Sequence, residues 1–212
     1  MKASLLIGGM MTDMNLLARN KDLFSQINSL TEIVTLNPIT NHILMEAPDL
    51  KLTDYYIGAG CIAQSIWNYA CGLPVNYGIN DIDFVYFDSD LSYDKECEVI
   101  DKVKQRFGNL PIRLDIKNQS RVHLWYENHF GYPINPYSSL EEAINTWPTT
   151  ATSIGMRKDV NGEWSIYAPF GLNDLFSLIV RANKAQITKE IYEKKVDRWK
   201  GIWPALTIIP WD

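Results

Sequence analysis

The segment Gly78-Ile79-Asn80-Asp81-Ile82-Asp83-Phe84-Val85-Tyr86-Phe87-Asp88 decides the fold. Residues 82–87 form the strongest strand candidate in the chain, built almost wholly of β-branched and aromatic side chains that fit a pleated, buried surface. Asp81 and Asp83 stand two apart in it, and side chains alternate across a sheet, so both carboxylates leave the same face. Neighbouring carboxylates repel, and the pair is costly unless a proton or a cation lies between them. Hard oxygen ligands of this kind suit Mg²⁺ (or Mn²⁺), which is commonly held by one or two carboxylates together with substrate phosphates. Asp115 falls in the next expected strand, residues 112–117, and supplies a third carboxylate if the two strands pair in register. The alternative for an Asp-x-Asp at a strand mouth is a solvated turn.

Outward from this segment the chain alternates strands and helices. Upstream, residues 55–57 read as a short strand running into Gly58-Ala59-Gly60, and Ile62, Ile66, Trp67, Tyr69 and Ala70 then recur as a helix that Gly72 and Pro74 stop. Downstream, 94–107 is a charged amphipathic helix ended by Gly108. Residues 118–130, 139–147, 174–181 and 188–203 carry further helical patterns. Residues 153–157 and 164–167 flank Asn161-Gly162 as a hairpin. The first fifty residues look helical, with Leu16, Leu17, Leu23, Phe24, Ile27 and Leu30 behind a Thr12/Asp13 cap, punctuated by Asn37-Pro38 and Pro48. The expected fold class is α+β (α/β), a small mixed sheet flanked by helices. We expect one domain over 1–212, with a helical N-terminal extension (1–52), a core carrying the carboxylates (53–117) and a C-terminal half (118–212).

The 212 residues are 46% hydrophobic and 21% charged, which excludes fibrous and disordered classes. The apolar runs are too short to span a bilayer, and Gly8 and Gly9 interrupt the only leader-like stretch. The three cysteines, Cys61, Cys71 and Cys97, match neither zinc nor redox spacing and fit packing residues of a cytoplasmic protein. The formal net charge of −5 argues against a general nucleic-acid coat. The charge is uneven: residues 81–101 carry eight acids against Lys95 alone, whereas 181–200 carry seven bases against three acids.

The order glycine turn, helix, two-acid strand and third acid, here Gly60, Asp81, Asp83 and Asp115, resembles the polymerase β-like nucleotidyltransferase superfamily. Longer strings, among them GAGCIAQSIWNYACGLP, GINDIDFVYFD, LDIKNQSRVHLWYENHFG and YEKKVDRWKGIWP, are similar to those of a bacterial family of small nucleotidyltransferase-like proteins over about residues 54–210. The resemblance implies the nucleotidyltransferase fold. From the three carboxylates we expect transfer of a nucleoside monophosphate from an NTP to an unknown acceptor, with Asp81, Asp83 and Asp115 as catalytic residues and metal ligands. Gly58, Ala59, Gly60 and Cys61 would then face phosphates at a helix N-terminus. Read from the residues themselves, Lys117, Asn118, Gln119, Arg121 and His123 cluster just after Asp115, where a base or amide can contact phosphate or base edges, with Lys117 and Arg121 as the nucleotide-binding candidates and a solvated helix start as the alternative. The sequence departs from the superfamily at Gly60-Cys61, where Gly-Ser or Gly-Gly is usual. A silent nucleotide- or partner-binding module on the same fold is the alternative.

Other candidates read more plainly. His123 and His129, among Trp125, Tyr126 and Phe130, fit packing better than general-base roles. Most of the later tryptophans fit a core, with one free to stack on a base. Arg157 and Arg181 are candidate phosphate contacts. The run Lys194, Lys195, Arg198, Lys200 reads first as a solvated helix face and only second as a site for an acidic acceptor.

Overall fold

The computed structural model describes residues 17–212 in full and, before them, the backbone of two short strands, β1 (Ser4–Ile7) and β2 (Met10–Asp13), which pair antiparallel. Thr12 and Asp13 therefore belong to a strand rather than capping a helix, and Leu16 lies outside the described residues. Asp22 caps the first helix instead, its carboxylate accepting from the Ser25 amide at 3.0 Å. Helix α1 (Leu23–Thr35) is followed by α2 (Pro38–Glu46), which Asn37 caps with Pro38 at its first position.

A five-stranded mixed sheet carries the centre of the molecule. Its strands are β3 (Tyr55–Gly58), β4 (Asp81–Tyr86), β5 (Arg113–Asn118), β6 (Gly155–Lys158) and β7 (Trp164–Tyr167), in the spatial order β5-β4-β3-β6-β7. Only the β4–β5 pair is parallel, and α4 (Tyr93–Phe107) makes its crossover. Helix α3 (Gly60–Ala70) packs against β3, β4 and α1. From β4 the buried Ile82, Phe84 and Tyr86 enter a core that includes residues from Ala18 to Leu206. On the opposite face Val85 joins Tyr56, Leu140 and Ile144, the last two from α6 (Leu140–Asn145), in a second cluster.

Two expected helices are shorter than their patterns. Residues 118–130 split into a 3₁₀ turn, Gln119–Arg121, and α5 (His123–Phe130), because the Asn118 side chain accepts from the Ser120 amide at 3.2 Å and from the Asp88 amide at 3.0 Å. Residues 174–181 give only the single turn α7 (Asn173–Phe176). After Leu178, at φ +56°, β8 (Ile179–Val180) pairs parallel with β9 (Thr207–Ile208), so a distant partner outcompetes the local helical pattern. Among the described residues no helix is long and apolar enough to cross a membrane.

Helix α8 (Lys189–Ile202) is locked to α3 through aromatic side chains. Trp67 packs edge-on against Trp199 and Trp203, with ring centroids 5.3 and 5.4 Å apart. The Trp203 indole N–H donates to the fully buried Asn68 Oδ1 at 2.7 Å, while Asn68 Nδ2 donates to the carbonyls of Val75 (3.3 Å) and Tyr77 (2.8 Å). Gly78 follows at φ +69°, where a Cβ would lie 2.9 Å from Ile202 and Trp203. One buried amide thus ties α3, the loop entering β4 and the end of α8 together. Asn68→Ala is expected to cost about 2–4 kcal/mol, read as a lower urea midpoint at unchanged m-value. Asn68→Asp, which sets a carboxylate oxygen against the Val75 and Tyr77 carbonyls in a fully buried site, should cost at least as much.

Candidate active site

The parallel register places Asp83 directly beside Asp115, and Asp81 beside Arg113. All four line one cleft of about 380 Å³, together with Ala59, Gly60, Gln64, Asn80 and, from α8, Lys195 and Arg198. The three sequence-predicted carboxylates are therefore brought to a single cavity. Burial, with the charges of Asp115 and Asp81, pushes the Asp83 carboxyl up to about 7. Across the cleft, burial and then Arg198 lower the Lys195 ammonium's pKa, against the opposing pull of Asp83 and Asp81.

The carboxylates are already partnered in part. Asp81 accepts a hydrogen bond from Arg113, and Asp115 accepts from Lys117 Nζ at 2.6 Å. With the side chains so turned, no three His, Cys, Asp or Glu among the described residues form a ready ligand set for one ion. The donor chemistry nevertheless suits a hard divalent cation. Three carboxylates share the cleft, and the innermost is destabilised in its charged form by its neighbours, a cost that a cation relieves.

The glycine turn divides its roles. Ala59 lines the cleft at φ +54°, ψ −126°, a conformation that strains a residue bearing a Cβ, and its amide donates to the Ile154 carbonyl at 2.9 Å. Gly60 opens α3 at the cleft wall. Gly58 serves packing, since a Cβ there would lie 2.6 Å from the Ile154 carbonyl and 2.9 Å from the Trp147 ring. The Cys61 side chain is 1% exposed and turned inward, its thiol donating to the Gly58 carbonyl at 3.2 Å. Burial also holds that thiol far above its ordinary pKa.

Several other sequence candidates are engaged elsewhere. Arg121 clamps α4, bonding Glu96 at 2.7 Å and the Leu91 carbonyl, and lines no cleft wall. Arg157 lies over the rings of Tyr56 and Tyr55 and donates to the Thr53 carbonyl at 3.2 Å. Arg181 pairs with Asp174 at 3.2 Å. Neither histidine of α5 lines the cleft. Conversely, Lys195 and Arg198, read from sequence as part of a solvated face, supply the cations opposite the carboxylates. Their spacing of three places them on one side of α8, and that was the available signal.

A glycine turn opening a helix, beside a two-carboxylate strand with a third carboxylate on its parallel neighbour, defines a nucleotidyltransferase fold. The chain belongs to the nucleotidyltransferase family whose model matches residues 45–208. Its fold is similar to an NMR structure described as a CCA-adding enzyme head domain, at 24% identity and a TM-score of 0.70 over 86% of this chain and 95% of that one. A structure described as a tRNA-processing enzyme (apo form I) matches at 16% identity and a TM-score of 0.50; the match covers 82% of this chain and 44% of that one. None of the curated proteins matches by sequence.

In metal-free buffer Asp83→Asn should raise the melting temperature by several degrees, since it removes a buried charge repelled by Asp115 and Asp81. Because the folded-state pKa of Asp83 is raised, its contribution to stability is lost as pH rises from about 4 to about 7. The advantage of the variant should therefore grow over that range and level off above it, which paired thermal melts at pH 5, 6, 7 and 8 would check.

Proposed function

We propose that the protein transfers a nucleoside monophosphate from an NTP to an acceptor hydroxyl or phosphate. One observation carries this reading: Asp81, Asp83 and Asp115 share a face and a cleft that α8 closes with Lys195 and Arg198. Asp81, Asp83 and Asp115 would hold Mg²⁺ or Mn²⁺, which when bound supplies charge neutralisation and alignment at the phosphates. Lys195, Arg198 and Arg113 meet the remaining phosphate charge, and the first amides of α3 point a helix N-terminus at it. Asp115 orients the acceptor and takes its proton. The acceptor oxygen then bonds to the α-phosphorus, the bond from that phosphorus to the bridging oxygen of the β-phosphate breaks, and pyrophosphate leaves.

A second reading, a nucleotide-binding module without turnover, draws on the ion pairs that already occupy Asp81 and Asp115. The two readings separate experimentally. The enzyme releases pyrophosphate from one of the four Mg-NTPs when offered an acceptor from a panel of hydroxyl compounds, proteins and RNA, whereas the module binds Mg-NTP and releases none. Absence of thermal stabilisation by any Mg-NTP would sink both. Asp81→Ala and Asp83→Ala should abolish turnover in a folded protein. Lys195→Ala and Arg198→Ala should each weaken Mg-NTP binding about tenfold or more, as expected when a charge-assisted phosphate contact is lost; calorimetry reads the change.

A further inference from the structure

The cleft continues past Asp83 into a second cavity of about 300 Å³. The two share Ala59, Asp83, Trp147, Pro148 and Lys195, so a molecule whose charged end lies at the carboxylates can extend from one into the other. Their chemistry differs. The first is lined by carboxylates and three cations. The second is walled by the rings of Trp125, Tyr126, Tyr137 and Trp147, and its Lys117 ammonium is already paired with Asp115 while lying 5.7 Å from the Trp125 ring centre. Such a wall suits a flat, uncharged ring and offers little to a phosphate.

A second feature narrows the ring. Gln119 lines this cavity, is only 5% exposed, and its side-chain amide has no hydrogen-bond partner among the described residues. The amide is not among the sealed, unpaired polar atoms of the described residues, so it opens into the cavity, and a primary amide presents a donor and an acceptor together. The edge of a nucleobase matches that pair. Tyr137 and Gln186, by contrast, are fixed at the rim by their own bond of 2.8 Å.

We propose that the second cavity receives a nucleobase, stacked on its aromatic wall and read at its edge by Gln119. The inference rests on the nucleotidyl-transfer reading of the adjoining cleft. The base belongs either to the incoming NTP or to the terminal nucleotide of the acceptor, and the test distinguishes the two.

Calorimetry on the full chain with Mg²⁺ would compare tripolyphosphate, the four NTPs, and AMP added to the tripolyphosphate complex. It would use wild type, Trp125→Ala and Gln119→Leu, with thermal melts to confirm folding. If the cavity holds the base of the NTP, Trp125→Ala weakens NTP binding about tenfold or more and leaves tripolyphosphate unchanged. If it holds the acceptor's base, NTP binding is unchanged and AMP binding falls by that factor. Gln119→Leu, which removes only the unpaired amide, should flatten the preference among bases in either case, and it decides the matter should Trp125→Ala not fold. If both variants bind every nucleotide as the wild type does, the proposal is overturned. Failure of tripolyphosphate to bind the wild type counts against the transfer reading alone, and AMP titrated into the free wild type and variants still judges the cavity.

Discussion

Confinement of like charge between β4 and β5 is the constraint on which the rest of the site depends. A parallel pair sets residues side by side in register, so Asp83 and Asp115 cannot separate without breaking the ladder. Asp81 shares their face because strand side chains alternate. The backbone thus holds three carboxylates at one cleft, and Asp83 bears the consequence, its charged form opposed by burial and by both neighbours. Such an arrangement costs the fold stability, and it persists because sheet and core on the opposite face, with Ile82 and Phe84 fully buried, hold β4 in place.

The opposing charge is delivered by a separate device. Lys195 and Arg198 line the same cleft as the carboxylates because the C-terminal half of α8 is pinned by Trp199 and Trp203 against Trp67, and by the Trp203 bond to Asn68. Asn68 also holds the Val75 and Tyr77 carbonyls in the loop that leads into Asp81. The two walls of the cleft are therefore referenced to one side chain on α3, and the glycine turn begins that same helix. Acid wall, basic wall and turn are positioned together.

Local patterns in the sequence carried the carboxylates, the turn and most elements, because each rests on short-range physics: alternation in 82–87 and glycine before a helix. What they did not carry depends on distant partners. Residues 179–180 become a strand only because 207–208 lie beside them, and Arg121 looks like a phosphate contact until Glu96 is brought to 2.7 Å. Lys195 and Arg198 belong to a run of charges indistinguishable in sequence from a solvated face. Only the docking of α8 through its tryptophans separates the two residues that line the cleft from Lys194 and Lys200, which do not.

The same geometry resolves what Gly60-Cys61 means for phosphate recognition. A serine at position 61 would matter to phosphate if its hydroxyl faced the cleft. Here the side chain points inward to the Gly58 carbonyl and is buried in the core, so the turn can offer phosphate only its backbone amides. Under the proposed reaction the phosphate contacts then fall to the opposite wall, where Lys195 and Arg198 project from α8. Under that reaction the cations on α8 would supply what the turn lacks, since anion binding needs complementary charge at the phosphates and not a particular strand or helix to supply it. Phosphate affinity in this chain should accordingly depend on the α3–α8 lock as much as on the turn itself.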